Sequence, residues 1–465
     1  MSTYWGLVKA RGLEGTRRRV LCVGPYALSV RGSALVGVMG IITAVLLVGI
    51  AIFILGHAEG DVVEYAVDDS RAFYIAEGGL ERARGYLAAL EIDDPNEDPV
   101  GTSFSGQPLG GGLYDVEVVA DASGGSWIDA YVVISTGAKD GVLRQVKATV
   151  IAETFAMYSW FIESGGGGYS WFRSGERFEG PIHVNGDLRI DGDPWFGGHV
   201  RAAGGLTLKE GSNPTFVRGY ELHVDSISLP TRAHVFATLK AAAQSAGGLV
   251  LPAMGNKTYY EIALGDPSVG AFSYQGFNED GSTNGLGGVV DISSLNGAVW
   301  SDEDIYISGV LDGQLTIGVD GTIHITDDIL YAGSTPGNGP DPDCDDILGL
   351  IAAGHPKGDV IIDYTTPNEN DCEVHGVMMA LQKTIEAEDY QHHPVRGDFI
   401  MYGGMLAEYA IHLAQYSDGV VVSGYGRDYH FDPRVASLPP PFFPFAGSFS
   451  VVTWEEVVPA VPPEV

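Results

Sequence analysis

Positive charge is scarce in this chain beyond Gly32. The 465 residues carry 26 Lys and Arg against 60 Asp and Glu, a net charge of -34. Lys9, Arg11, Arg17, Arg18, Arg19 and Arg31 against the lone Glu14 give the stretch from Met1 to Gly32 a charge of +5, so residues 33–465 carry -39. Phosphate recognition needs concentrated positive charge, and so deficient a body argues against nucleic acid as a partner. Cysteine is nearly absent as well. Cys22, Cys344 and Cys372 are too few for a disulfide scaffold. No Gly-x-Ser-x-Gly elbow, His-Glu-x-x-His pair or phosphate-cradling glycine loop occurs, and Gly165–Gly168 lacks a following Lys-Ser/Thr and reads as a hinge. The expectation is a protein that is not an enzyme and holds no cofactor.

Long apolar runs are also lacking, with one exception. Ala34 to Leu55 is uncharged. About 20 apolar residues at about 1.5 Å rise each cross a hydrocarbon core. Because basic residues flanking a first span stay cytoplasmic, the N-terminus is expected inside and the acidic body outside. This predicts a single-pass protein of the inner, cytoplasmic membrane whose body is periplasmic or extracellular. A secretory signal peptide is the rival reading, but its apolar segment is shorter.

No proline interrupts residues 59–90. Val62, Tyr65, Ala66, Phe73, Ala76, Leu80, Ala83, Leu87 and Leu90 recur at helical spacing. One helix over 33–92 follows, membrane-spanning and then amphipathic, ended at Asp94-Pro95 because the residue before proline disfavours helical geometry.

Arg31-Gly32-Ser33-Ala34-Leu35-Val36, the apolar run, and Ala72-Phe73-Tyr74-Ile75-Ala76-Glu77-Gly78-Gly79-Leu80-Glu81-Arg82-Ala83 together resemble the N-terminal region of PilX-type minor pilins of type IV pili. The resemblance implies cleavage by a prepilin peptidase between Gly32 and Ser33, with 1–32 as a cytoplasmic leader. It also implies helix-to-helix packing with other pilins and pilus assembly proteins. The fifth residue after that point is Gly37, where major pilins carry glutamate, which resembles minor or tip subunits. The alternative is a membrane-anchored adhesin or glycan-binding module that never enters a filament.

Residues 93–155 read as a small antiparallel sheet. Leu113–Val119, Trp127–Ile134 and Val142–Val150 are strand-like, with turns at Asp121–Gly125 and Lys139–Gly141. From 156 to 435 glycine and proline abound, and a short theme recurs. Gly186-Asp187, Glu303-Asp304, Asp327-Asp328, Gly358-Asp359 and Gly397-Asp398 each precede an apolar strand. Repeated turn–strand units predict a parallel β-solenoid, with a β-sandwich as the rival. The fold class is therefore α+β: a long helix with a small sheet, then a mainly-β domain. Residues 436–465 read as a Pro-rich tail. Trp171 to Leu188 also resembles a segment of an uncharacterised bacterial family found with pilus-type N-termini.

Candidate sites are few. Asp341, Asp343 and Asp345 alternate like the start of a calcium loop, but Asp346 and Ala352 stand where glycine and glutamate belong. A solvated acidic loop is the default, and no metal site is assigned. Cys344 and Cys372 remain after loss of the leader, and a disulfide between them is open. Asp302, Glu303 and Asp304 supply only part of what an acidic-polysaccharide enzyme needs. His183 and His324 read as hydrogen-bonded wall residues, and the adjacent His392 and His393 point apart on a strand.

Overall fold

The computed structural model describes residues 30–94, 97–121, 130–164, 171–254, 258–335, 337–356, 358–364, 370–417 and 420–458, with side chains from Ala34 onward. The leader as far as Ser29, residues 122–125 of the first expected turn, the glycine run at 165–168 and the stretch 459–465 lie outside these. The chain divides into two compact units, one reaching Val67 and one from Asp68 onward.

Helix α1 runs Val30–Asp93 without a break, as the absence of proline allows. Within the first unit, an 18-residue stretch of the helix beyond Ala34 reaches a mean hydropathy of 3.0, and the helix is long and apolar enough to cross a membrane. Its large side chains from Leu35 to Leu55 are all exposed. The apolar stripe begins later than its spacing suggests, since Val62 and Tyr65 are exposed.

In the second unit, Ala72, Ile75, Ala76, Leu80, Ala83 and Leu87 are buried at spacings of three and four. They pack on an antiparallel sheet of β1 (Ser103–Leu109), β2 (Gly112–Ala120), β3 (Ala130–Lys139) and β4 (Val142–Thr154). Along β2 the inward Tyr114, Val116 and Val118 alternate with exposed residues, which is the period-two pattern of a sheet wet on one face. Two glycines set how closely helix and sheet approach. A Cβ on Gly137 would stand 2.1 Å from the Ala72 carbonyl oxygen and 2.5 Å from the Ala76 nitrogen, and one on Gly79 would meet Ser135 Oγ at 2.3 Å.

A fifth strand completes this sheet, drawn from the stretch read as a tail. Phe445–Val457 pairs antiparallel with β4, from Phe445 opposite Thr154 to Val457 opposite Gln145. Arg144 clamps the arrangement by pairing with both Asp69 of the helix and Glu456 of the last strand. Trp454 Nε1 donates to Glu77 Oε1 at 2.8 Å. Residues 155–444 are therefore inserted between two neighbouring strands of one sheet, and Phe155 N donates to Pro444 O at 2.9 Å where the insertion closes.

The insertion is not the parallel solenoid expected from the sequence. Its main sheet has 22 strands and is mixed, smaller sheets lie beside it, and none closes on itself. Thr258–Leu264, Ala271–Asn278 and Thr283–Asp291 form antiparallel hairpins, and Ala414–Ser417 pairs antiparallel with Val420–His430. Strand order departs from chain order too. Trp160–Ile162, early in the sequence, lies between Ile182–Val184 and Val395–Ala407. The repeating turn–strand theme specifies local strands, and it carries no information about which edge receives the next one.

The acids of that theme have a definite task. Asp187, Asp304, Asp328 and Asp359 each stand immediately before a buried apolar residue: Leu188, Ile305, Ile329 and Val360. These four pair in parallel with Leu206, Ile323, Val374 and Ile385. Each aspartate Oδ1 accepts the backbone N–H of the residue just before that partner. The donors are Gly205 at 2.9 Å, Thr322 at 2.8 Å, Glu373 at 2.8 Å and Thr384 at 3.3 Å. A peptide N–H at each of these points thus has an acceptor.

Two outcomes follow. Gly137→Ala should lower unfolding free energy by about 1–3 kcal/mol, the usual penalty of overpacking, because the obstructing atoms are backbone; chemical denaturation of the full chain measures it. Asp304→Ala should cost about 1–3 kcal/mol by orphaning the Thr322 N–H, and Asp304→Asn, which keeps an acceptor, clearly less. Equal losses for Ala and Asn would mean that the bond does not matter.

Candidate functional site

The residues singled out by sequence do not converge. Gly32 and Ser33 lie on the backbone of α1. Asp341, Asp343 and Asp345 are exposed, and among the described residues no group of three or more His, Cys, Asp or Glu side chains is gathered to hold a metal ion. Cys344 and Cys372 are both free thiols rather than a disulfide. Cys344 Sγ donates to Asp346 Oδ2 at 3.1 Å, whereas Cys372 is wholly buried, and burial pushes its thiol well up.

The acidic triplet is spent on structure. Asp302 accepts from Trp300 Nε1 at 2.7 Å and Lys240 Nζ at 2.5 Å, and Glu303 accepts the Met254 N–H at 3.0 Å. His183 is buried, stacked on Phe161, and bonded through Nε2 to Asn185 Oδ1 at 2.8 Å. His324 pairs with Asp363 at 2.6 Å and stacks on Tyr306. His392 pairs with Asp389, while His393 stacks on Tyr364.

What the structure does assemble is a cavity of about 220 Å³ that sequence reading missed. Its walls come from Trp160, from Trp171, Phe172, Arg173 and Glu176, from Tyr390, and from residues between Ile411 and Arg427. At its base Arg427 pairs with Glu176, both side chains nearly removed from solvent. Glu176 Oε2 also accepts the Arg173 N–H at 2.9 Å. Burial pushes the Glu176 carboxyl above its ordinary range, against the pull of Arg427. Arg173 pairs with Asp191 at 2.9 Å, and the guanidinium groups of Arg173 and Arg427 lie 4.9 Å and 5.0 Å from the centre of the Tyr416 ring.

Two donors here have no acceptor among the described residues: the indole Nε1–H of Trp160 and the Nε–H of Arg427. Each buried orphan of this kind costs about 1–3 kcal/mol. Burial, and secondarily Arg427, lower the pKa of His412, also on the wall. The sequence signal was the dense run Trp171-Phe172-Arg173 with Glu176, which alone could not reveal partners near the other end of the chain.

Comparison with known proteins adds little about chemistry. The family described as a domain of unknown function (DUF4900) matches residues 114–205, about a fifth of the chain, including the Trp171–Glu176 wall. No curated protein matches. Among solved structures, the competence-associated pilin ComZ from Thermus thermophilus is similar at 13% identity, covering 84% of this chain and 97% of that one, with a TM-score of 0.34.

Removing one partner of a buried ion pair strands the other. Glu176→Ala should therefore destabilise the chain by about 3–5 kcal/mol, read as a lowered denaturation midpoint.

Proposed function

We propose that this chain is a pilin-like subunit of a type IV pilus-like assembly, a minor subunit of the PilX type that primes or tips a filament and has no catalytic role. The observation that carries this reading is α1. One uninterrupted helix bears exposed apolar side chains from Leu35 to Leu55 and, from Ala72 to Leu87, a buried stripe on an antiparallel sheet. A helix apolar all round is suited to lipid or to a bundle of similar helices, whereas one with a single stripe is suited to a globular head. The same element supplies both.

On this reading the basic leader stays in the cytoplasm. A prepilin peptidase cuts between Gly32 and Ser33, and the freed helix packs among those of other pilins. The inserted β-region is then presented on the outer side of the inner membrane. Gly37 supports a minor role, because it supplies no carboxylate to pair with a neighbouring subunit's amine.

The test is the mature N-terminus. Coexpression with a prepilin peptidase, followed by mass spectrometry, should yield a chain beginning at Ser33, N-methylated. Gly32→Glu should leave the whole leader in place. A mature chain that begins at Met1 despite the peptidase, or beyond Leu55, would overturn the proposal.

A further inference from the structure

Residues 172–184, 188–202 and 206–222 form three layers of short strands stacked in parallel register. In the last layer Leu206–Leu208 pairs only with Leu188–Asp191, Thr215–Phe216 only with Trp195–Phe196, and Tyr220–Leu222 only with Val200–Ala202, among the described residues. Each strand therefore keeps one edge open, and an open edge is a template for another strand. Beyond it the chain turns back rather than crossing over. Val224 N donates to Ala202 O at 3.3 Å and Ile227 N to Asn185 Oδ1 at 3.0 Å.

The apolar interior stops at the same place. In the middle layer the inward Leu188, Ile190, Phe196, Val200 and Ala202 are wholly buried. Their register partners in the last layer are Leu206, Leu208, Phe216, Tyr220 and Leu222, of which Leu208 is 47% exposed and Tyr220 45%. The rings of Phe178, Phe196 and Phe216 stack with centres 5.7 Å and 4.9 Å apart, and the column ends there. Stacks of repeated units need a polar cap at such an end. No described segment supplies it.

A cover for this end must present three strand edges around an apolar centre at the same spacing, and a second copy does so by symmetry. Across a twofold axis perpendicular to the stack, every wall meets its counterpart antiparallel. The three-residue strands Leu206–Leu208 and Tyr220–Leu222 then face each other, and the two-residue Thr215–Phe216 faces itself. With Thr207 opposite the partner's Glu221, Leu206 meets the partner's Leu222, Leu208 the partner's Tyr220, and Glu210 the partner's Arg218. Apolar residues oppose apolar ones and an acid opposes a base. The layer is also neutral, Lys209 and Arg218 against Glu210 and Glu221, within a body of -39, so two copies approach here with little repulsion. At the far end of the main sheet Thr258–Leu264 is paired on both sides, with Asp304–Leu311 and with Ala271–Asn278, and its Tyr260, Ile262 and Leu264 are buried. Association through the open end therefore closes at two copies.

We propose that the open end from Leu206 to Leu222 is a dimer interface with a second copy of this chain, joined by antiparallel strand pairing across a twofold axis. The surface belongs to the inserted β-region alone, so the proposal stands whether or not Gly32 is a cleavage point.

Sedimentation velocity on the full-length protein in detergent, over a concentration series, should show a monomer–dimer equilibrium. Leu208→Glu, at a half-exposed position, should raise the dimer dissociation constant by at least about tenfold, equivalent to about 1.4 kcal/mol, with an unchanged thermal midpoint. If that variant fails to fold, cross-linking serves instead. Thr207→Cys combined with Glu221→Cys in one chain should give an oxidised dimer on a non-reducing gel, and neither substitution alone should exceed the unaltered chain. A chain that stays monomeric up to millimolar concentration would overturn the proposal and leave the end to residues 459–465 or to another protein. A dimer indifferent to Leu208→Glu would overturn it by placing association on α1, as would a double-cysteine variant that does not cross-link.

Discussion

Backbone meets backbone where α1 crosses β3. At Gly137 the sheet has no side chain, and the Ala72 carbonyl occupies the space one would take. That near approach fixes the depth of the whole head. It brings Ala76 and Leu80 within reach of Tyr114, Val116 and Val146, closing one apolar core. It also places Asp69 beside Arg144 and Glu77 beside Trp454. The polar clamps at the rim depend on that spacing and do not create it, since exposed ion pairs contribute little by themselves.

The glycines also explain a motif. Gly78-Gly79, part of the stretch that resembles a pilin N-terminus, weakens a helix in isolation, because glycine costs about 1 kcal/mol relative to alanine. Here Gly79 faces Ser135 and Tyr114 at distances no side chain tolerates. What the helix loses in propensity it recovers in packing. The acidity of the body has a similar local account, with several of its carboxylates accepting peptide N–H groups between neighbouring strands.

How much of this was legible from sequence follows the range of the interactions. The helix was legible because a 64-residue element without proline, apolar and then striped, is specified by neighbours three and four apart. Strands β2 to β4 were legible for a similar reason, their alternation being local. By contrast β1, with Gly106 and Pro108, lacks strand character and is recruited by β2. The last strand was hidden by the prolines at 439–441 and 444, and its partner β4 lies on the far side of the whole insertion. The recurring acidic turns marked real strand starts, yet they could not distinguish a regular parallel coil from a mixed sheet that begins in its own middle. The cavity was illegible because its walls are joined only by folding; Glu176 and Arg427 are 251 positions apart.

The inserted region leaves β4 at Thr154 and returns at Phe445, and these two residues are partners in one ladder. A module held by a single linker swivels freely, but this one is held by two adjoining strands whose peptide groups bond side by side. Both attachments leave from the same end of that ladder, so a pull on the module loads the two strands side by side. Such an attachment keeps the module's orientation registered to the sheet beside it.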